Sequence, residues 1–257
     1  MQVSLITCTF NSEKTIDDCC LSILAQTFNN IEHVVIDNNS KDNTLAFLKR
    51  YNQNSQYTQK IVNQKSNGIY GAINEGLRLS KGEIIGILHS DDKYINRNVI
   101  ESISNIFIEK KADVIFSNIF YTSKKNSNKI IRSWKSNLSE GMQSNNVLQN
   151  KIKNGWMPPH TSLFIKRNLL QDIGYYNESF KISSDYDFMI RIMKTNNLKI
   201  YFLNKFTVKM RLGGLSNKNI SNILIKMKED YIIMKHYNFN TFKTLLLKNL
   251  SKLIQFF

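Results

Sequence analysis

A chain of 257 residues, 42% hydrophobic and 11% aromatic, carries enough apolar material for one large α/β domain and is unlike a disordered segment. No apolar run reaches the roughly 18 residues of a bilayer-spanning helix. The opening residues lack the basic stretch of a secretion signal, and Cys8, Cys19 and Cys20 are too few and too bunched for a disulfide framework or a zinc site, so a reducing cytoplasm is expected. The net charge of +15 is lopsided. Residues 1–100 balance ten basic against ten acidic side chains, whereas residues 101–257 hold 25 against ten, so the second part is expected to face nucleic acid or an acidic membrane surface.

In chain order, residues 3–9 read as a buried strand, and Ser12 as the cap of a helix with Ile16, Cys20, Ile23 and Leu24 on one face. Residues 31–36 form a second apolar strand closed by Asp37. Asn38-Asn39-Ser40-Lys41 is a turn, and Asp42 caps a helix to Tyr51. Ile61 and Val62 mark a third strand, residues 68–79 a helix, and residues 84–88 a fourth strand ending in Asp91-Asp92. This alternation predicts a mainly parallel sheet with helices on both faces.

Beyond Asp92 the alternation loosens. A helix is expected over residues 98–110, a strand at 114–116, and a polar loop or hairpin at 124–139. A strand is expected at 161–165 after Pro158-Pro159, which cannot lie inside a helix, and a helix over 184–195. Trp134 and Trp156 read as core residues. From Thr241 the positions Phe242, Leu245, Leu246, Leu250, Leu253 and Phe257 fall at helical spacing with Lys243, Lys248 and Lys252 opposite, which predicts an amphipathic tail resting on anionic lipid.

Three strand ends carry polar groups: Thr9-Phe10-Asn11, Asp37-Asn38-Asn39-Ser40 and Asp91-Asp92. Parallel strands put them on one sheet edge, where open α/β sheets bind ligands. Paired carboxylates there suit Mg²⁺ or Mn²⁺ bridging to a phosphate. Neither a G-x-G-x-x-G fingerprint nor a P-loop is present, which excludes the commonest dinucleotide and NTP sites.

Together with Gly68-Ile69-Tyr70, Asn74 and Gly82, these motifs resemble the nucleotide-binding half of the family 2 glycosyltransferases of GT-A fold, as found among bacterial cell-surface polysaccharide transferases. Met157-Pro158-Pro159-His160-Thr161, Ser183-Ser184-Asp185-Tyr186-Asp187 and Gly213-Gly214-Leu215-Ser216 resemble its acceptor half. The resemblance implies a GT-A domain over 1–216, with a nucleotide-binding half at 1–100 and an acceptor half at 101–216, followed by a basic helical tail at 217–257.

It implies an inverting transfer of one sugar from a nucleotide-diphosphate sugar, with uridine the expected base, to a lipid-linked or surface-glycan acceptor. Thr9, Asn11, Asp37, Asn39, Ser40, Gly68 and Asp91 would meet the nucleotide, and Asp91 and Asp92 the metal. Asp185 would be the general base, although Ser184-Asp185 also reads as an ordinary helix cap. His160 and Asp187 are candidates for the acceptor or diphosphate side.

His89 stands where the family often has the first Asp of its D-x-D, and Ser184 replaces a frequent Glu. These departures motivate an alternative, a degenerate GT-A domain that binds without turnover. A basic nucleic-acid-binding protein is a further alternative, but the chain has no aromatic-basic or zinc module for it, so no nucleic-acid partner is expected. The expected location is the cytoplasm, peripheral on the inner face of the membrane.

Overall fold

The computed structural model describes residues 1–55, 57–214 and 219–254. Leu215, Ser216, the boundary at 216 and Phe257 lie outside the described residues, as do the side chains of Leu250, Lys252 and Leu253.

Val3–Thr9 (β1), Ile31–Asp37 (β2), Thr58–Asn63 (β3) and Ile84–Ile87 (β4) pair in parallel in the spatial order β3-β2-β1-β4. Strands β1, β2 and β4 are buried on both faces, which is why they read as continuous apolar runs. Between them run Ile16–Leu24 (α1), Thr44–Asn54 (α2) and Gly68–Leu79 (α3). Alternate residues of β1 enter opposite cores. Ile6 and Cys8 join Ile73 and Leu77 of α3, while Val3 and Leu5 join Cys19 and Ile23 of α1. Each such fully buried Ile or Leu contributes roughly 1.5–3 kcal/mol. All three cysteines are buried free thiols.

The sheet continues into the second half of the chain. The remaining elements are Lys93–Tyr94 (β5), Val99–Glu109 (α4), Val114–Thr122 (β6), Ile130–Trp134 (β7), Gly141–Gln143 (β8), Asn145–Lys153 (α5), Phe164–Lys166 (β9), Leu170–Ile173 (α6), Ser184–Lys194 (α7), Ile200–Arg211 (β10), Ile220–His236 (α8) and Thr241–Ile254 (α9). Strand β9 lies antiparallel between β4 and β6, and β10 pairs in parallel with β6, giving one ten-stranded sheet. A Cβ at Gly86 would collide with the Phe164 ring, so this β4 position admits little beyond glycine.

Several expectations are corrected. The segment at 161–165 is not a single strand. Pro159 precedes a 3₁₀ turn, His160–Ser162, whose Ser162 hydroxyl bonds the Ser117 carbonyl at 2.9 Å, and the strand starts only at Phe164. The polar stretch 124–139, expected as a loop or hairpin, is a hairpin in agreement with that expectation, with β7 pairing antiparallel to β6. Ser12 accepts from the α1 start through its carbonyl rather than its hydroxyl. Trp134 stacks on Tyr121 and Trp156 meets Phe116 edge-on, so both pack within the protein.

The C-terminal segment packs on the rest of the fold through its described residues. Ile233, Met234 and Phe239 belong to the main core, and Thr244 donates to the Lys153 carbonyl of α5. Lys248, expected on the solvent side, is 4% exposed and bonds Asp230 at 3.0 Å, whereas Phe242 is 80% exposed. Burial of the lysine with a carboxylate partner overrides the amphipathic pattern. No helix among the described residues is long and apolar enough to cross a membrane.

Candidate active site at the carboxyl edge of the sheet

The β1–β2 register sets Thr9 directly beside Asp37. The Asp37 carboxylate is fully buried and accepts from the Ser40 hydroxyl at 2.6 Å and the Ser40 amide at 2.9 Å. It therefore lies beneath the surface as a brace of the turn. The Ser40 hydroxyl accepts in turn from the Asn11 amide at 2.9 Å, and Asn11 Oδ1 from the Lys41 amide, so the two strand-end turns are tied together. Asn11 and Asn39 adopt φ values of +48° and +53°, a left-handed conformation that asparagine tolerates, and both are exposed at the rim. Thr9 Oγ1 is buried without a partner. Gly68, at φ +71°, opens α3 nearby in sequence, and its carbonyl accepts from Gln64.

The turn after β4 carries the acidic pair. Asp92 is buried. Its Oδ1 accepts from the Arg211 amide at 3.1 Å, and its Oδ2 has no partner. Burial raises both carboxyls above the usual range, with the Asp91 charge raising Asp92 further. The Arg211 side chain clamps this turn, donating to the Asp91 carbonyl at 3.1 Å, to the Lys124 carbonyl and to Asp18. Among the described residues no group of three His, Cys, Asp or Glu side chains forms a closed metal cage. An orphaned buried carboxylate oxygen beside a second carboxylate nonetheless fits Mg²⁺ or Mn²⁺, which bind through one or two carboxylates and complete their shells with substrate phosphates and water.

Asp185 lies in the first turn of α7. The loop leading into this helix is held by Glu229 of α8, whose carboxylate accepts from the amides of Lys181, Ile182 and Ser183 at 2.7–2.9 Å. Ser184 Oγ is buried without a partner. Asp185 Oδ1 accepts from the neighbouring Tyr186 amide at 2.8 Å and lies 3.4 Å from the Tyr70 hydroxyl, which itself donates to the Ile182 carbonyl at 2.6 Å. Asp185 Oδ2 faces His160 Nδ1 at 3.5 Å, and His160 Nε2 meets His89 Nε2 at 3.0 Å. A line of side chains thus runs from Asp185 through His160 to the turn that bears Asp91. Burial, and then the His160 charge, push His89 down to about 3, so it stays neutral.

Asp187 lies apart from that line. Its carboxylate accepts from Arg191 Nε at 3.0 Å, an ion pair within α7, and from the hydroxyl of Tyr237, just past α8, at 2.8 Å. Sequence reasoning gave no role of their own to Phe10 and Tyr70, which it met within motifs, and passed over Arg211, Glu229 and the pairing of His89 with His160. Phe10 had a signal, being an apolar residue just past a buried strand and now 56% exposed. The others are joined by contacts of 71–120 positions or act through distant helices, and no spacing rule marks them.

An open, mainly parallel sheet with polar strand ends and a carboxylate across from an acidic turn defines the GT-A class of nucleotide-sugar fold. The chain belongs to glycosyl transferase family 2, whose profile matches residues 4–174. It is 25% identical over 235 residues to an uncharacterized glycosyltransferase of Haemophilus influenzae, covering 86% of this chain and 68% of that one. Its fold is similar to S. aureus TarS 1–349 in complex with UDP-GlcNAc, at a TM-score of 0.73 and 21% identity over 91% of this chain and 66% of that one. It is also similar to the mannosyltransferase PcManGT of Pyrobaculum calidifontis in complex with GDP-Man and Mn²⁺, at 0.65 and 16% identity over 96% and 68%. This chain spans 36% of the length of an uncharacterized glycosyltransferase of Rickettsia felis and 82% of that of a PGL/p-HBAD biosynthesis glycosyltransferase of Mycobacterium bovis.

Proposed function

We propose that this protein transfers one sugar, with inversion, from a nucleotide-diphosphate sugar to a hydroxyl of a lipid-linked or surface-glycan acceptor, with UDP the favoured nucleotide. The line Asp185–His160–His89 carries the reading, because it sets a carboxylate base beside the turn expected to hold the diphosphate. Thr9, with its unpartnered hydroxyl, would meet the nucleoside, and the exposed Phe10 ring would stack on the base. Asn11, Asn39, Ser40 and Gly68 would shape the pocket, with Asp37 acting through Ser40.

Asp91, supported by Asp92, would hold Mg²⁺ or Mn²⁺, which when bound neutralises charge on the departing diphosphate. Asp185 Oδ2 would take the acceptor hydroxyl proton as that oxygen attacks the anomeric carbon and the bond to diphosphate breaks. A single displacement of this kind inverts the centre. The basic second half, and a stripe of exposed Ile220, Ile223, Leu224 and Met227 on α8, support peripheral contact with an anionic membrane on its cytoplasmic side.

His89 in a position often held by Asp favours one competing reading, a domain that binds without turnover. A panel of UDP-GlcNAc, UDP-glucose, UDP-galactose and GDP-mannose, read as released nucleotide diphosphate, separates the two. Release from one donor is expected, falling roughly 10²-fold or more in Asp185→Asn with donor affinity kept. Undiminished release in that variant would remove Asp185 as the base. Tight binding without release would select the competing reading.

A further inference from the structure

Two imidazoles meeting Nε2 to Nε2 at 3.0 Å can share only one proton in the gap, so one ring donates and the other accepts. The far nitrogen of His160, Nδ1, faces the Asp185 carboxylate at 3.5 Å. A carboxylate oxygen opposite a bare imidazole lone pair is repulsive, whereas opposite an N–H it is attractive. The favourable arrangement is therefore unique for a neutral pair: His89 Nε2–H donates to His160 Nε2, and His160 carries its proton on Nδ1 towards Asp185. Elsewhere the His160 ring borders a small cavity whose lining, Ile87, Leu163 and Phe188 among it, is mainly apolar.

We propose that His89 is a tautomer-fixing residue, which holds the His160 proton on Nδ1 so that His160 orients Asp185 for acceptor deprotonation. The inference rests on the reading of Asp185 as the base, and it assigns His89 a task in place of direct phosphate or metal contact. With Oδ1 held by the Tyr186 amide and one side of Oδ2 facing His160, the remaining lone pair of Oδ2 has a defined direction for the incoming hydroxyl. His160 and His89 are thus positioning residues. An acidic residue in place of His89 would accept rather than donate and would turn the His160 proton away from Asp185.

Nitrogen-15 correlation spectra of the histidine rings, recorded at mildly alkaline pH on the full chain, report which ring nitrogen of His160 is protonated. The wild type is expected to show the proton on Nδ1. His89→Leu, which has no donor, leaves the Asp185 contact at 3.5 Å to hold the proton alone and is expected to raise the Nε2-protonated share, and His89→Gln, whose amide reaches about as far as the imidazole Nε2, is expected to keep the proton on Nδ1. A wild-type proton on Nε2, or a tautomer unmoved in His89→Leu, would overturn the proposal. Turnover of the donor found in the panel is expected to fall roughly tenfold or more in kcat, at unchanged donor KM, in His89→Leu and to recover in His89→Gln. A shifted tautomer with unchanged kcat would overturn the positioning role. Full turnover in Asp185→Asn alongside the expected tautomers would instead fail the base assignment and leave the tautomer lock standing.

Discussion

Asp37 and Asp185 both sit at element ends on the same sheet edge, yet their surroundings assign them different work. Asp37 has no exposed surface and braces Ser40, while the Asp185 side chain is 23% exposed and keeps an oxygen directed at His160. Arg211 shows the same principle in reverse: a basic residue read as part of a diffuse positive charge proves to be the clamp of the acidic turn. Replacing it by Met removes its bonds to the Asp91 carbonyl, the Lys124 carbonyl and Asp18. Urea denaturation of Arg211→Met should show a loss of about 2 kcal/mol, below the range for a fully buried pair because Asp18 is 35% exposed. Unchanged stability and unchanged nucleotide affinity would show that the turn holds itself.

At the scale of elements, the loop into α7 is held by α8, and α8 is latched to α9 by Asp230 between Lys226 and Lys248. Burial pushes the Asp230 carboxyl up, but Lys248 and Lys226 beside it more than offset this and hold it down to about 2. A carboxyl depressed on folding stabilises the protein above its unfolded pKa, near 3.8, and that contribution is lost as pH falls towards 2. About 2 kcal/mol should therefore disappear between pH 4 and 2. The step should be absent in Asp230→Asn, measured by denaturant unfolding across that range. A step that persists in the variant would place the acid sensitivity elsewhere.

This latch also explains where the sequence misled. In α9 it buries Lys248, which helical spacing puts on the solvent side, and leaves Phe242 exposed. Strand β10 went unread because Asn204 and Lys205 interrupt its apolar run at register shifts. By contrast β1, β2 and β4 were legible, since strands buried on both faces tolerate little but apolar residues and must stop where polarity begins.

Across the whole molecule, one sheet carries the strand tips of the first half to the Asp185 helix of the second, so the acidic turn and Asp185 are placed by a single rigid framework. The residues at each strand end were legible one by one. Their mutual contacts were not, because His89–His160 and Asp92–Arg211 close only when distant segments meet. The excess positive charge of residues 101–257, with the exposed α8 stripe, predicts that the protein pellets with phosphatidylglycerol vesicles at low salt and is released as salt rises. Leu224→Glu with Met227→Glu should leave it in the supernatant at unchanged thermal stability. Pelleting of the double variant equal to wild type would exclude this face from membrane contact.

In the proposed function the carboxyl edge of the sheet would hold a metal-bridged nucleotide diphosphate at Asp91. Calorimetric titration of UDP into the protein with Mn²⁺ tests it most directly. Saturable binding is expected, and it should be lost with EDTA and in Asp91→Ala. The same affinity with and without metal, or in wild type and Asp91→Ala alike, would contradict it.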